Sequence, residues 1–195
     1  MTIGFARLGR IAGAVVVTAV SLAGALAGTA SAVTLTEHDA HARAVAPSPA
    51  ASGNAMCLDA STPPRRNGGP VYLWQCEPGN SNQAWVIDGG QIVVRDTRGT
   101  PTPMCLDAGT PPRRNRGPVY LWRCEPGNSN QAWVIDGGQI VVRDTRGTRT
   151  PMCLDVNNPP RRNGGPVYLW QCGPGNSNQA WVIDGGQIVV KDTLS

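Results

Sequence analysis

Histidine is nearly missing from this 195-residue chain: His38 and His41 are the whole complement, and both lie near the N-terminus. Everything after them is therefore excluded from nucleophile–histidine catalysis. The two histidines sit in a polar tail, where such side chains are ordinarily solvated and not metal ligands. Charge is scarce too. The formal net charge is +4, and it falls to +2 (15 Lys+Arg minus 13 Asp+Glu) if Arg7 and Arg10 leave with a leader. That is too mild to argue for nucleic acid or an anionic membrane as partner. No cysteine lies near residue 32 and no paired arginines occur near the start, which speaks against a lipid anchor and a twin-arginine export route. Beyond residue 55 no stretch has a helical period, which leaves an all-β fold.

The first 32 residues read as a secretory signal. Arg7 and Arg10 precede an apolar run from Ile11 to Ala27, and Ala30-Ser31-Ala32 offers a small-residue cleavage site. The run approaches membrane-spanning length, but its glycines and small-residue exit favour cleavage. Residues 33–55 form an arm rich in Ala, Pro and Ser, without sustained period, expected to be disordered.

From Met56 onward the chain repeats itself. Met56, Met104 and Met152 open three copies at successive offsets of 48 residues (104−56 and 152−104), dividing the chain into 56–103, 104–151 and 152–195. The first two copies differ at only four aligned positions: Ser61/Gly109, Gly68/Arg116, Gln75/Arg123 and Pro101/Arg149. A period of this length means one supersecondary unit per copy, each too small to bury its own apolar face.

All six cysteines lie in the copies, as the pairs Cys57/Cys76, Cys105/Cys124 and Cys153/Cys172. Six cysteines allow 15 connectivities, but three equivalent copies most simply make three equivalent internal bridges. Each would close a loop contributing about 3 kcal/mol. Zinc is discounted, because the spacing fits no usual site and no histidine accompanies it.

Within the first copy Val71-Tyr72-Leu73-Trp74 alternates as a strand, with Val71 and Leu73 on one face and Tyr72 and Trp74 on the other. Met56–Asp59, Ala84–Ile87 and Gln91–Val94 read as three more strands, the last two joined by a tight turn at Asp88-Gly89-Gly90. Thr62–Pro70, with three prolines and two glycines, reads as loop. Four strands in each of three copies predict about twelve, too few units for a propeller and suited to a threefold barrel closed by hairpins. Gln187–Val190 should then close the barrel beside the first copy.

These residues resemble a known family. Cys-Leu-Asp, Asn-Gly-Gly-Pro-Val-Tyr-Leu-Trp-Gln-Cys and Asn-Gln-Ala-Trp are similar to the repeat of the ricin B-type lectins, β-trefoil carbohydrate-binding domains with a Gln-any-Trp signature. The resemblance spans Met56 to Thr193 and recurs in every copy. It implies a β-trefoil with one internal disulfide per repeat and a sugar site in each. Asp59, Asp107 and Asp155 would accept hydrogen bonds from sugar hydroxyls, and Trp74, Trp122 and Trp170 would stack on the sugar ring. Asn82, Asn130 and Asn178 would bond another hydroxyl, with Gln83, Gln131 and Gln179 fixing the aspartate. Trp85, Trp133 and Trp181 would be core. Tyr72, Tyr120 and Tyr168 stand where galactose-binding members commonly carry Gln, a departure that bears on specificity.

The chemistry stands beside the resemblance. An aromatic platform answers the C–H face of a sugar, and a carboxylate with a carboxamide answers its hydroxyls. Asp59 and its equivalents could instead be turn-formers, and Trp74 and its equivalents core. The paired arginines Arg65-Arg66 and their copies read as solvated loop charge, with contact to acidic sugars or phosphate-bearing polymers as the sharper idea.

The reading is thus a secreted, monomeric, non-catalytic lectin without metal or cofactor. It would bind galactosides, xylan or cell-wall polysaccharide at up to three sites, with no nucleic acid partner and no membrane anchor after signal cleavage. A carboxylate-dependent glycoside hydrolase, built for instance on Asp59 with Asp88, and a β-trefoil protease inhibitor are the alternatives.

Overall fold

A computed structural model describes residues 53–194. The leader, the arm through residue 52 and both histidines lie outside the described residues. The first repeat contributes β1 (Met56–Asp59), β2 (Gly69–Pro70), β3 (Tyr72–Gln75), β4 (Trp85–Asp88) and β5 (Gln91–Val94). The second contributes β6 (Met104–Asp107), β7 (Gly117–Pro118), β8 (Tyr120–Arg123), β9 (Trp133–Asp136) and β10 (Gln139–Val142). The third contributes β11 (Met152–Val156), β12 (Gly165–Gln171), β13 (Trp181–Asp184) and β14 (Gln187–Val190). Single 3₁₀ turns, which alternating hydrophobicity does not reveal, follow β3 and β5 at Ser81–Gln83 and Arg95–Thr97 and recur in the other repeats.

Two rings of pairing join the repeats. The last strand of each pairs with the first of the next, through Val93↔Cys105, Val141↔Cys153 and, from third back to first, Val189↔Cys57. The expected closure by Gln187–Val190 is thus observed. The second ring corrects the loop assignment over Thr62–Pro70. Gly69 pairs with Leu121, Gly117 with Leu169, and Gly165 with Leu73. Proline has no N–H to give this ladder, but Gly68 N donates to Leu121 O at 2.8 Å in its stead. In the third repeat the short bridge merges with the following strand into β12, because Val156 extends β11 and pairs with Val167.

The 48-residue period therefore becomes a threefold, trefoil-type barrel. Leu58, Leu73, Ile92 and their counterparts Leu106, Leu121, Ile140, Leu154, Leu169 and Ile188 fill its centre. Three tight hairpins accompany it. In the first, Gly89 (φ 57°) and Gly90 (φ 88°) both take the left-handed conformation required between the paired residues Asp88 and Gln91. Trp85, Trp133 and Trp181 are buried as expected, and each indole N–H finds a carbonyl: Leu58 O at 2.8 Å, Leu106 O at 2.9 Å and Leu154 O at 3.0 Å.

The segments between repeats are pinned by threonine. Thr97 Oγ1 donates to Val94 O and accepts from Met104 N, and Thr193 Oγ1 does the same for Val190 O and Met56 N, 137 residues away. Disulfides join Cys57–Cys76, Cys105–Cys124 and Cys153–Cys172, one per repeat. Ala55, placed by its sequence at the end of the arm, is fully buried beside Cys57, Cys76 and Val189, so the folded domain begins before Met56.

Candidate functional site

In each repeat one strand pair and one 3₁₀ turn bring the expected residues together. Asp59 lies opposite Tyr72, and Leu58 opposite Leu73. Because opposite residues share a face and neighbours alternate, Leu58 and Leu73 point to the core while Asp59, Tyr72 and Trp74 share the other side. Val71 and Leu73 are buried while Tyr72 and Trp74 are half-buried, so the aromatic pair forms the platform expected of it. The rings are tilted by 52° with centroids 5.8 Å apart in the first two repeats, and by 53° at 6.0 Å in the third.

The aspartates are more enclosed than their position at a strand end suggested. Asp59, Asp107 and Asp155 are only 2–3% exposed. Asp59 Oδ1 accepts from Ser61 N at 2.8 Å, and Asp107 Oδ1 from Gly109 N at 2.8 Å. Their Oδ2 atoms accept from Gln83 and Gln131 Nε2 at 3.3 and 3.1 Å. Asp155 keeps the glutamine bond, at 2.8 Å from Gln179, but in the third repeat the chain continues as strand and gives it no such turn N–H. Burial pushes all three carboxyls above the usual range, Asp155 to about 6. The tyrosine hydroxyls shift upward as well, through burial and then through the adjacent aspartate, so they stay neutral donors.

Gln83, Gln131 and Gln179 are completely buried. They orient the aspartate from behind and do not face solvent. Each is saturated: Gln83 Nε2 also donates to Gln75 O at 2.9 Å, and its Oε1 accepts from Glu77 N at 2.8 Å. The preceding Asn82 is presented by a turn that Asn80 caps, its Oδ1 accepting from Asn82 N at 2.9 Å.

The paired arginines divide into two kinds. Arg65, Arg113 and Arg161 are not solvated loop charge: their side chains are 4–6% exposed and ion-paired with Asp96, Asp144 and Asp192 at 2.9, 3.3 and 2.8 Å. Arg65 also donates to Ala60 O, Ser61 O and Asn82 Oδ1. The guanidinium thus ties the Pro-Pro loop to the site and occupies the carbonyl oxygen of Asn82, leaving its amide N–H groups for a ligand. Arg66, Arg114 and Arg162 are exposed.

Sequence reasoning missed a second supporting set. Gln91, Gln139 and Gln187 each reach from a hairpin to the buried glutamine of the next repeat, Gln131, Gln179 and Gln83, at 3.0, 3.0 and 3.1 Å. Opening a strand at a hairpin turn, they carry no local mark of that task.

The third repeat shows the space these groups enclose. A cavity of about 230 Å³ is lined by Asp155, Tyr168, Trp170, Asn178, Asn157, Asn158, Asn176 and Arg116. Carboxylate, aromatic pair and carboxamide face one opening, an arrangement that grips a ligand having both an apolar face and fanned hydroxyls. Fold and site together define a threefold β-trefoil binding domain of the lectin type.

The family described as ricin-type beta-trefoil lectin domain matches residues 50–181, and the chain belongs to it. Among solved structures, the earthworm R-type lectin C-half in complex with GalNAc is 20% identical, with 70% of this chain and 95% of that chain covered and a TM-score of 0.49. The β-trefoil lectin of the Vibrio vulnificus hemolysin/cytolysin with N-acetyl-D-lactosamine bound is 23% identical over 65% and 82%, at 0.46. The designed 3-fold symmetric protein ThreeFoil is 23% identical over 70% and 91%, at 0.49. No curated protein matches the chain.

Proposed function

We propose that this domain is a secreted, non-catalytic carbohydrate-binding module that holds a poly- or oligosaccharide at up to three sites. The observation that carries the reading is the threefold recurrence of one constellation, Asp59-Tyr72-Trp74-Asn82 and its two counterparts, each with its own buried glutamine support. Galactosides, xylan and other cell-wall polysaccharides are the ligands of matching chemistry. Glycoside hydrolysis uses a pair of carboxyl groups, whereas the third-repeat cavity is lined by the single carboxyl of Asp155. Asp88, the candidate second acid, is bound to Arg98 at 3.0 Å. Both facts support binding without catalysis.

Single open sites of this kind hold a sugar by about 4–5 kcal/mol. Three on one rigid scaffold gain about 10²-fold on a multivalent polymer through effective concentration. The test is retention of the mature protein on insoluble xylan, galactose-bearing resin, chitin and purified cell wall, eluted with free sugar and separately with salt. Sugar-competed retention on any matrix is the expected result. Elution by salt alone, or no retention at all, overturns the reading.

A further inference from the structure

The three sites are not chemically equal, and one difference arises from a loop residue of the preceding repeat. Gly68 N and Gly164 N donate to Leu121 O and Leu73 O at 2.8 Å, each reaching one repeat onward. At the same place in the second repeat stands Arg116, whose N–H donates to Leu169 O at 2.8 Å. Gly68 and Gly164 have φ of 73°, and Arg116 holds the same left-handed conformation at 60°. A residue with a Cβ is strained there, so the arginine stands against a local preference for glycine. Its side chain lines the third-repeat cavity together with Tyr168 and Trp170. The cation is near enough to Tyr168 to lower that phenol's pKa against the upward pull of burial and Asp155. Among the described residues the guanidinium has no carboxylate partner.

A second substitution acts in the same sense. Glu77 and Glu125 stand close enough to Asp59 and Asp107 to raise their pKa, while the third repeat carries Gly173 at that position. The third site has therefore gained a positive charge and lost a negative one relative to the other two. Arg123, a strand residue also peculiar to the second repeat, follows Trp122 by one position and so points to the opposite face.

We propose that the third site is specialised for an acidic saccharide, with Arg116 pairing to the sugar's carboxylate or sulfate while Trp170 and Asn178 hold the ring. Guanidinium is suited to this task, since its forked donors match a planar or tetrahedral oxyanion bidentately. The proposal rests on the lectin reading given above.

The test compares matched polymers: polygalacturonate with its methyl ester, glucuronoxylan with unsubstituted xylan, and a sulfated galactan with its desulfated form. The wild-type chain, in low salt, should bind the acidic member of at least one pair about tenfold more tightly. Preference among the carboxylated pairs or for the sulfated galactan then separates the two anions. Arg116→Gly restores the residue of the other repeats and relieves the strained φ, so it should fold at least as stably. It should lose the acidic preference, so that the acidic and neutral members of each pair bind alike. Gly68→Arg should add acid preference at the second site. An acidic preference that survives Arg116→Gly, or none in the wild type while neutral polymers bind, overturns the proposal and leaves the lectin reading intact. No binding to any member overturns the proposal, and retention on the galactose resin, chitin or cell wall named above then decides the lectin reading separately.

Discussion

Gln139 Nε2 donates to Gln179 Oε1 over 3.0 Å across the seam between the second and third repeats, and Gln179 Nε2 donates in turn to Asp155 Oδ2 at 2.8 Å. The same relay runs from Gln91 through Gln131 to Asp107, and from Gln187 through Gln83 to Asp59. Each hairpin thereby orients the carboxylate of the repeat that follows it. The barrel cannot be cut into three independent binding units, because no repeat contains the whole support of its own site.

Gln139→Ala removes the bond to Gln179 and a second one to Gly173 O at 3.1 Å. Gln179 keeps the N–H of Gly173 at 2.8 Å, so its buried oxygen is not orphaned. The expected loss of stability is therefore modest, about 1 kcal/mol. Binding at the third site should weaken about 2- to 5-fold, while the second site, supported by Gln91, is unaffected. Urea melts and calorimetric titration of the variant check this. Unchanged affinity at the third site would reduce the relay to a structural contact.

Adjacent arginines should behave oppositely. Arg113 is buried, donates to Ala108 O, Gly109 O and Asn130 Oδ1, and pairs with Asp144. Arg114 beside it is exposed. Arg113→Ala should cost about 2–3 kcal/mol, the range for charge-assisted bonds to buried groups. Arg114→Ala should stay within about 0.5 kcal/mol. Denaturant midpoints of the two variants decide it, and equal midpoints would mean the buried staple contributes little.

How much of this could be read from the sequence depended on how local the cause was. Strands such as Met56–Asp59 and Gln91–Val94 emerge because alternation and the 48-residue offset are visible along the chain, and the disulfide pairing follows from the same repetition. Asp59, Trp74 and Asn82 could be grouped because they recur together and match a family motif. Arg65 could not be separated from Arg66, since two adjacent arginines in a proline-rich loop look alike until one of them meets Asp96, 31 residues away. Gln91 was hidden for a similar reason: its partner lies 40 residues on, in another repeat. The Gly69-Pro70 bridge was hidden by its proline, which argues against strand wherever the partner is unknown.

The second disulfide offers a measure of how far each repeat depends on its own bridge. Cys105 and Cys124 close a loop of 19 positions between strands that are already hydrogen-bonded. Replacing both by alanine should destabilise the domain by about 3 kcal/mol in the chain-entropy account. Urea unfolding of the double variant is the measurement, with a slope that rises if the unfolded chain expands. A loss well under 1 kcal/mol would mean that strand pairing alone already restricts the unfolded loop.

Asp155 predicts opposite pH responses for binding and for stability. Burial raises its pKa from 3.8 to about 6, and among the described residues it lacks the turn N–H that Ser61 and Gly109 supply to Asp59 and Asp107. The folded state thus holds a proton on Asp155 more tightly than the unfolded chain does. Its contribution to stability is fully present below pH 3.8 and is lost as pH rises through about 6. Asp155→Asn, which keeps an oxygen for Gln179 but carries no charge, should stabilise the domain by about 1–3 kcal/mol at pH 7. That gain should vanish below pH 4. Ligand binding should run the other way, since accepting sugar hydroxyls as a carboxylate requires the ionised form. Affinity at the third site should fall about tenfold from pH 7 to pH 5, more steeply than at the first two. Melting curves and titrations across this range test both halves. A variant no more stable than wild type at pH 7 would show that the carboxylate is solvated well enough in the fold to ionise at ordinary pH.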